Sequence, residues 1–466
     1  MFKKVIILLL LLGVLLLGNY LREYSYATVP HPGETTDEYG FAWAGLSLWN
    51  KGSPRSWTSW VSAYPNFDKE IVNVDSIFTI SPDRAPFQMV EPWFDKPPLF
   101  PLIIGGYETS KGINNFLESS TGIIRRPMLK IALITTLLIF LLASRWFGIR
   151  VGILSALLYS IIPTFVISSR LALSENGFIP LFLGGLYFTD LFLTKKKNIY
   201  LVLMGLMASL SLLMKMSGVA VLLSEILILL FYLPRSKKKF KDIAVLSLIG
   251  LSGLAVYCLY GYFLDWSTFI KVQFTQSNLF YGAGAEALFS AIVSSKIALK
   301  YLTDGWILLG WISLLFLSMT KFTKDRGITF LTIGTFCYLI VFLFFGSESY
   351  GWYRFPFFPF LAIALAEVIN QLYKKGNLFV FSVFALIPFG TGLQRIFGQL
   401  GFQPIVIYFR LAILFLALLF SVRLVTGGMW INRLEKVAMV LVFLLLVYIS
   451  IREIVFLNYD HWFFVT

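Results

Sequence analysis

Residues 94–100 read Phe-Asp-Lys-Pro-Pro-Leu-Phe, and an adjacent acidic pair, Asp37-Glu38, precedes them in the same polar stretch. The rest of the chain is strongly apolar. Of its 466 residues 58% are hydrophobic and 14% are charged, with a mean hydropathy of +0.77, whereas soluble domains have about 45–50% apolar and about 25% charged residues. The composition therefore predicts an all-α polytopic membrane protein, with its polar chemistry concentrated around these two motifs.

Apolar runs of about 18–22 residues are long enough to cross a bilayer as helices, and about thirteen of them follow one another along the chain. They cover approximately residues 5–21, 128–144, 151–169, 176–194, 199–214, 218–233, 243–263, 304–320, 328–345, 355–372, 378–394, 405–422 and 437–457. The longest polar stretch, about residues 22–124, follows the first run. The sequence thus predicts about thirteen transmembrane helices and one long first loop.

Basic residues fall on every second connection between these helices. They are Lys3-Lys4, Arg145 with Arg150, Lys195-Lys196-Lys197, Arg235 with Lys237-Lys238-Lys239, Lys321 with Lys324 and Arg326, Lys374-Lys375, and Arg423 with Arg433 and Lys436. Because Lys and Arg concentrate in cytoplasmic loops, the alternation predicts a cytoplasmic N-terminus and an extracytoplasmic first loop. The net charge of +14 is then a topology signal and not a nucleic-acid surface.

The first apolar run has two interpretations. Lys3-Lys4, the run itself and Ser25-Tyr26-Ala27 together have the pattern of a signal peptide with a cleavage site. Removing the run would break the even alternation of loops, so we expect an uncleaved first span. The simplest location is then the plasma membrane of a prokaryote, with the protein embedded as a multi-pass chain among the membrane lipids.

Two segments of the first loop have features of interfacial helices. The helical spacing of apolar residues in segment 37–50 predicts an amphipathic helix lying on the membrane interface. Segment 97–107 is expected to form a second helix that begins at its proline pair. Asp37 and Glu38 open the first of these helices, where the helix dipole stabilises carboxylates. The acidic pair is therefore open to two interpretations, a helix start and a catalytic site.

Other ionisable residues fall on the same predicted side of the membrane. Arg170 and Glu175 lie between the third and fourth spans, and Lys215 lies between the fifth and sixth. Tyr353 and Arg354 directly precede the tenth span. Each alone fits a snorkelling anchor or a structural ion pair, but ionisable groups near a membrane often mark function. Their common side predicts one polar site on the outer face.

In this order the motifs resemble those of the GT-C glycosyltransferases, in the branch of the protein O-mannosyltransferases and lipid A aminoarabinose transferases. The resemblance rests on the acidic pair, the Asp-Lys-Pro-Pro-Leu-Phe run, Arg-x-x-Leu-x-Glu at 170–175, the segment 205–215, which starts with glycine and ends in Leu-Met-Lys, and Tyr-Arg-x-Pro-x-x-Pro at 353–359. It covers most of residues 1–370, which it marks as the catalytic membrane domain. Residues 371–466 add C-terminal transmembrane helices without a recognisable motif.

The resemblance implies an inverting enzyme that moves a sugar from a polyprenyl-phosphate carrier to a protein, glycan or lipid acceptor on the extracytoplasmic face. Asp37 matches the catalytic carboxylate and would act as general base, with Glu38 as a helper or helix-start residue. Cations would stabilise the phosphate that leaves. The candidate donor ligands are Lys96, Arg170, Lys215, Tyr353 and Arg354, with Asp95 and Glu175 as supporting carboxylates.

A cofactor is not required by this chemistry. Asp95 matches a metal-contacting carboxylate in some aminoarabinose transferases, where a distant histidine assists, and this chain has two histidines, His31 and His461. A divalent metal held by Asp95 and His31 therefore remains the alternative. Cys258 and Cys337 fall in apolar runs and are expected to be packing residues.

Two further classes of protein compete with the enzyme. Polytopic bundles with intramembrane charge can be transporters or lipid-carrier flippases, and a non-catalytic scaffold for envelope assembly has no sequence signature of its own. No internal repeat relates the chain halves, and the charges of interest lie at the outer face. The outer segment 265–304 is likewise open to two interpretations, an acceptor lid and a disordered connection.

Overall fold

The computed structural model describes residues 2–32, 35, 37–68, 72–74, 78–80, 88–277, 305–344, 351–397, 403–425 and 429–456. The helices in these ranges are α1 (Phe2–Glu23), α2 (Asp37–Lys51), α3 (Leu99–Ser110), α4 (Thr121–Phe147), α5 (Ile149–Ile161), α6 (Pro163–Ser168), α7 (Ser174–Lys195), α8 (Asn198–Met214), α9 (Val219–Tyr232), α10 (Lys237–Ser277), α11 (Gly305–Lys321), α12 (Arg326–Phe344), α13 (Phe358–Lys375), α14 (Leu378–Phe397), α15 (Gln403–Val425) and α16 (Met429–Phe456). The predicted class, a helical polytopic membrane protein, is confirmed.

The long apolar runs of the sequence all lie on helices. Among the described residues, seven helices are long and apolar enough to cross a membrane, and shorter apolar helices accompany them. The run 151–169 is divided between α5 and α6, because Ile162 takes an extended conformation before Pro163. A proline disfavours the helical conformation of the residue before it. The total of about thirteen spans stays a prediction.

The first loop folds onto the bundle with its two helices packed against each other. A Cβ atom added to Gly45 of α2 would lie 1.8 Å from the Pro101 carbonyl oxygen of α3, and one added to Gly105 would lie 2.1 Å from the Gly45 carbonyl carbon. Residues 38–46 of α2 are buried. These residues are covered by protein, whereas Trp49 near the C-terminal end of α2 is 56% exposed. The glycines permit the backbone contact, and the position of α2 on the membrane interface stays a prediction.

Two short antiparallel sheets complete the first loop, and the sequence analysis did not predict them. Strand β1 (Ser56–Thr58) pairs with β4 (Gln88–Val90), and β2 (Val72–Val74) pairs with β3 (Phe78–Ile80). The Trp93 indole donates a hydrogen bond to the Trp57 carbonyl at 3.0 Å. These contacts hold residues 56–64 beside the turn that carries Lys96.

A cluster of ion pairs joins three helices at the end of the bundle away from the candidate site described below. Asp190 of α7 pairs with Arg145, near the end of α4, and with Arg326, at the start of α12. Arg125 lies near the opposite end of α4, so this cluster is remote from the candidate site described below. It joins three helices that the predicted topology places with their ends in the cytoplasm.

Candidate active site

Asp37 is the first residue of α2, and four charged side chains surround it. Burial raises the pKa of its carboxyl group. The ammonium groups of Lys96 and Lys215 oppose this rise, whereas the carboxylates of Glu175 and Glu38 add to it. The structure therefore brings five of the predicted site residues into one electrostatic cluster. A carboxylate with a raised pKa among charged partners marks a candidate functional site.

Lys215 links three segments that are far apart in the sequence. It follows α8 with an extended backbone, at φ −162° and ψ 141°, so the chain turns sharply before α9. Its ammonium donates to Glu175 Oε1 and lies 4.0 Å from the centre of the Tyr353 ring. Lys96 is also close enough to interact with it by charge repulsion. Two neighbouring ammonium groups are an arrangement suited to a phosphate anion.

Glu38 is fully engaged in contacts within the protein. Its two carboxylate oxygens accept hydrogen bonds from Arg125 Nε at 2.8 Å and Nη2 at 2.7 Å, and Oε1 also accepts one from the Ala172 backbone N–H at 2.8 Å. Arg125 Nη1 donates to the carbonyls of Tyr26 and Pro30. Both ionic side chains are buried. These contacts are those expected of a helix-start residue beside Asp37, and a catalytic part for Glu38 stays a prediction.

Arg170 does not join the cluster around Asp37. Its guanidinium donates to the Val29 carbonyl at 3.0 Å and to the Leu21 carbonyl at 2.7 Å, and the side chain is completely buried. These contacts tie the turn before α7 to the end of α1 and to the loop that leads to Asp37. The assignment of Arg170 to the donor phosphate stays a prediction.

Asp95 is held inside the first loop. Its Oδ2 accepts a hydrogen bond from the Thr58 hydroxyl at 2.7 Å, and its Oδ1 accepts one from the Tyr64 hydroxyl at 2.7 Å. Burial raises the pKa of Asp95 to about 6, although both hydrogen bonds and the charge of Lys96 oppose the rise. The residue therefore supports the turn that presents Lys96.

The metal alternative finds no donor set in the described part of the chain. No group of three His, Cys, Asp or Glu side chains there is arranged to hold a metal ion. Both carboxylate oxygens of Asp95 accept hydrogen bonds from hydroxyl groups, and His31 is half-buried in the loop before α2. His461 lies outside the described residues. A divalent metal held by Asp95 and His31 stays a prediction.

The final motif forms a turn before α13. Residues 351–357 make a short helical turn in which Tyr353 faces Lys215 and its carbonyl accepts a hydrogen bond from the Tyr338 hydroxyl at 2.7 Å. The Arg354 side chain is buried in the same turn. Tyr353 is therefore part of the cluster, and the assignment of Arg354 to the donor phosphate stays a prediction.

Arg125 is a residue of the candidate site that the sequence analysis did not single out. The signal was present, because Arg125 and Arg126 are basic residues at the predicted outer end of a span, where Lys and Arg are usually scarce. The same observation had singled out Lys215. Thr58 and Tyr64 gave no such signal, since hydroxyl side chains in a polar loop are common.

Known structures have the same arrangement of helices. The structure of ArnT from Cupriavidus metallidurans in the apo state matches with a TM-score of 0.56 at 15% identity, over 98% of this chain and 78% of that chain. The chain has the GT-C glycosyltransferase fold. The structure of ArnT from Cupriavidus metallidurans bound to undecaprenyl phosphate also matches, with a TM-score of 0.51 at 15% identity over 96% and 77% of the two chains.

An archaeal protein of known structure also has this fold. The oligosaccharyltransferase AglB from Archaeoglobus fulgidus, in complex with an inhibitory peptide and a dolichol-phosphate, matches with a TM-score of 0.53 at 11% identity, over 97% of this chain and 56% of that one. Residues 95–260 match the family model for dolichyl-phosphate-mannose-protein mannosyltransferases. No curated protein matches the chain by sequence. The matched segment starts at Asp95 and includes Lys215.

Proposed function

We propose that this GT-C protein is an inverting glycosyltransferase that moves a sugar from a polyprenyl-phosphate carrier to an acceptor hydroxyl on the extracytoplasmic face. The observation that carries the proposal is the cluster of Asp37 with Lys96 and Lys215, assembled from three distant segments. It combines a base with two cations, which are the groups that this transfer needs. The acceptor is a protein, a glycan or a lipid.

Asp37 is the proposed general base. Its carboxylate would accept the proton of the acceptor hydroxyl while that oxygen forms a bond to the anomeric carbon and the bond to the carrier phosphate breaks. Burial raises the pKa of Asp37, which brings it closer to the operating pH, where a general base is most effective. Direct attack from the side opposite the phosphate inverts the anomeric centre, as in inverting glycoside hydrolysis.

Lys96 and Lys215 are the proposed ligands of the departing phosphate. Negative charge grows on its oxygens as the sugar leaves, and fixed cations aimed at that charge lower the barrier. The mutual repulsion of the two ammonium groups is relieved when an anion lies between them. Glu175 and Tyr353 hold Lys215 in place from two sides, so its position does not depend on the donor.

Membrane-embedded donors fit the fold. The ArnT structure bound to undecaprenyl phosphate and the AglB structure with dolichol-phosphate share this arrangement of helices. A carrier of this kind would reach the cluster through the bilayer and would need no soluble nucleotide-sugar domain. The alternation of basic loops supports an extracytoplasmic position for the site.

The experiment that tests the proposal measures release of polyprenyl phosphate by the purified protein in lipid nanodiscs. Hexose, pentose and amino-sugar donors are supplied with envelope glycans, peptides or lipids as acceptors. We expect Asp37→Asn to lower release about 100-fold or more, because general base catalysis typically contributes about 10²–10⁴-fold. The matched control is Asp68→Asn, since Asp68 is an exposed carboxylate of the same loop that pairs with Arg55.

The outcomes separate the competing functions. If transfer survives Asp37→Asn at the level of the Asp68→Asn control, Asp37 is not the base. If the native protein consumes none of the donors but moves a carrier lipid between leaflets, the flippase alternative replaces the enzyme. If it does neither, the scaffold interpretation replaces both. Nuclear magnetic resonance of the product then tests inversion at the anomeric carbon.

A further inference from the structure

A kink divides α10 into two helices. Its 41 residues would extend about 60 Å as one straight helix, about twice the thickness of the hydrocarbon core of a bilayer. At Asp265 the backbone leaves the helical conformation, with φ −165° and ψ 98°. The Asp265 carboxylate then accepts hydrogen bonds from the backbone N–H of Thr268 at 3.1 Å and from its hydroxyl at 2.5 Å. Because these contacts cap a new helix start, residues 266–277 form a separate helix, called here the post-kink helix.

One face of the post-kink helix holds the turn that carries Lys96. Gln273 Nε2 donates a hydrogen bond to the Phe94 carbonyl at 3.0 Å, and Gln276 Nε2 donates one to the Asp95 carbonyl at 2.7 Å. The Phe269 ring packs edge-on against the Phe94 ring, with centroids 5.4 Å apart. The two glutamines thus bind the two peptide carbonyls immediately before Lys96.

The opposite face of the same helix is apolar and is not covered by the part of the chain that the structure describes. Trp266, Ile270 and Phe274 follow one another at a spacing of four residues, and Phe274 is 67% exposed. Lys271 is exposed beside them. Aromatic side chains together with a lysine on one helix face are typical of helices in the headgroup layer of a membrane.

The part of α10 before the kink also exposes apolar side chains. Just before the kink, Tyr262 is 64% exposed and Phe263 is 78% exposed, and Leu248 in the middle of that part is 76% exposed. Such side chains on a helix that is long and apolar enough to cross a membrane face lipid. The Tyr262 and Trp266 rings are in contact across the kink, with centroids 6.3 Å apart, so the exposed face of the post-kink helix continues this surface and the bilayer is its expected occupant.

We propose that the post-kink helix lies in the headgroup layer of the bilayer, at the end of the bundle that carries Asp37, and that Gln273 and Gln276 are positioning residues that hold the Lys96 turn from it. The membrane surface and the Lys96 turn are then connected through a single helix. The ammonium of Lys96 is thereby held at the depth at which the phosphate of a membrane-embedded carrier lies. The inference rests on the proposed function in one respect, the assignment of Lys96 to the carrier phosphate.

The membrane contact is tested with a spin label at position 274, introduced by Phe274→Cys in a Cys258→Ala/Cys337→Ala background in nanodiscs. We expect the label to collide more often with oxygen, which partitions into lipid, than with a water-soluble nickel chelate. The matched control is Leu117→Cys, because Leu117 is a 54% exposed apolar residue of the first loop and its label should prefer the nickel chelate. Equal nickel accessibility at the two positions overturns the membrane contact.

The positioning role is tested with Gln273→Ala/Gln276→Ala, with Gln276→Ala as the milder variant. We expect backbone hydrogen exchange in the peptide spanning residues 88–100 to rise about fivefold or more, as each lost hydrogen bond is worth about 1 kcal/mol. The control is Gln371→Ala, because Gln371 also donates one side-chain hydrogen bond, to Glu367 at 2.7 Å, in a different helix. Unchanged exchange in the double variant overturns the positioning role.

A pH profile distinguishes positioning from general support of the fold. Lys96 opposes the rise in the pKa of Asp37, so a displaced Lys96 should move the acidic limb of kcat/KM to higher pH in the double variant but not in Gln371→Ala. An acidic limb that stays in place overturns the link to Lys96. Failure of the proposed function shows separately, as full activity of Asp37→Asn, whereas the spin-label and exchange results do not depend on activity.

Discussion

The ammonium of Lys215 lies 4.0 Å from the centre of the Tyr353 ring. Lys215 directly follows α8 and Tyr353 lies in the turn before α13, so the contact joins two connections that are far apart in the sequence. A cation over an aromatic ring away from water is stabilised by about 2 kcal/mol. Glu175 accepts a hydrogen bond from the same ammonium. Lys215 is thus fixed from two sides before any donor binds.

The ring and the hydroxyl of Tyr353 can be separated by substitution. Tyr353→Phe keeps the ring over Lys215 and removes the proposed donor to the carrier phosphate, so we expect the KM for the donor to rise about fivefold, the equivalent of one hydrogen bond. Tyr353→Leu also removes the cation–π contact, and the loss of about 2 kcal/mol should raise the KM about 30-fold further. Steady-state kinetics in nanodiscs measures both, and equal effects of the two variants would contradict the separation.

The adjacent arginines at the start of α4 provide a matched pair for stability. Arg125→Leu leaves Glu38 buried without its partner, and we expect a loss of about 3–5 kcal/mol in the free energy of unfolding. Arg126→Leu removes an ion pair with Glu23 in which both side chains are nearly half exposed, and it should cost about 1 kcal/mol or less. Thermal unfolding in detergent measures both variants.

The same pair of variants tests the link to catalysis. Because Glu38 fixes the start of α2, Arg125→Leu should also lower turnover per folded molecule, whereas Arg126→Leu should leave it unchanged. The folded fraction is determined by size-exclusion chromatography before the assay. Similar stability losses in the two variants would show that the buried Arg125–Glu38 pair stabilises the protein no more than the exposed Arg126–Glu23 pair.

The crossing of α2 and α3 depends on the absence of a side chain at Gly45. Gly45→Ala would place a Cβ atom 1.8 Å from the Pro101 carbonyl oxygen, so the helices must separate. We expect a loss of about 1–3 kcal/mol from overpacking and a fall in turnover, because α2 carries Asp37 and α3 follows Lys96. The control is Gly13→Ala in α1, where no atom lies within 4 Å and alanine should be neutral or stabilising. Equal behaviour of the two variants would refute the close crossing.

The spanning helices and most of the cluster could be predicted from the sequence. Helices such as α7 and α12 consist mainly of apolar residues, and that composition can be read directly from the sequence. Lys215 was identified because a lysine at an outer turn is unusual. The clustering of Lys215 with Asp37 and Tyr353 agrees with the common side of the membrane that the spacing of basic loops predicts.

Tertiary contacts decided the features that the sequence did not predict. Arg170 and Lys215 look alike in the sequence, yet the guanidinium of Arg170 is used by backbone carbonyls at the end of α1. Strands of three residues such as β1 are too short to show an alternating pattern. The burial of α2 depends on its contact with α3 at Gly45. A backbone contact of this kind leaves no periodic pattern in the sequence of either helix.

The pH dependence of catalysis provides a test, because two substitutions near Asp37 should shift the acidic limb in opposite directions. The base must be deprotonated, so kcat/KM should fall as the pH drops through the pKa of Asp37 in the free enzyme. Burial raises that pKa above its usual value, and Lys96 opposes the rise while Glu175 adds to it. Lys96→Met should therefore move the acidic limb to higher pH, and Glu175→Gln should move it to lower pH.

The profiles are measured between about pH 4 and pH 9 as release of polyprenyl phosphate, a range that spans the ordinary carboxylate pKa of about 4. Asp68→Asn serves as the control, since its exposed carboxylate pairs with Arg55 and should not affect Asp37. Glu175→Gln also releases Lys215 from its ion pair, and the freed ammonium would lower the pKa of Asp37 further in the same direction. Shifts of the same sign in the Lys96 and Glu175 variants would therefore show that the titrating group is not Asp37.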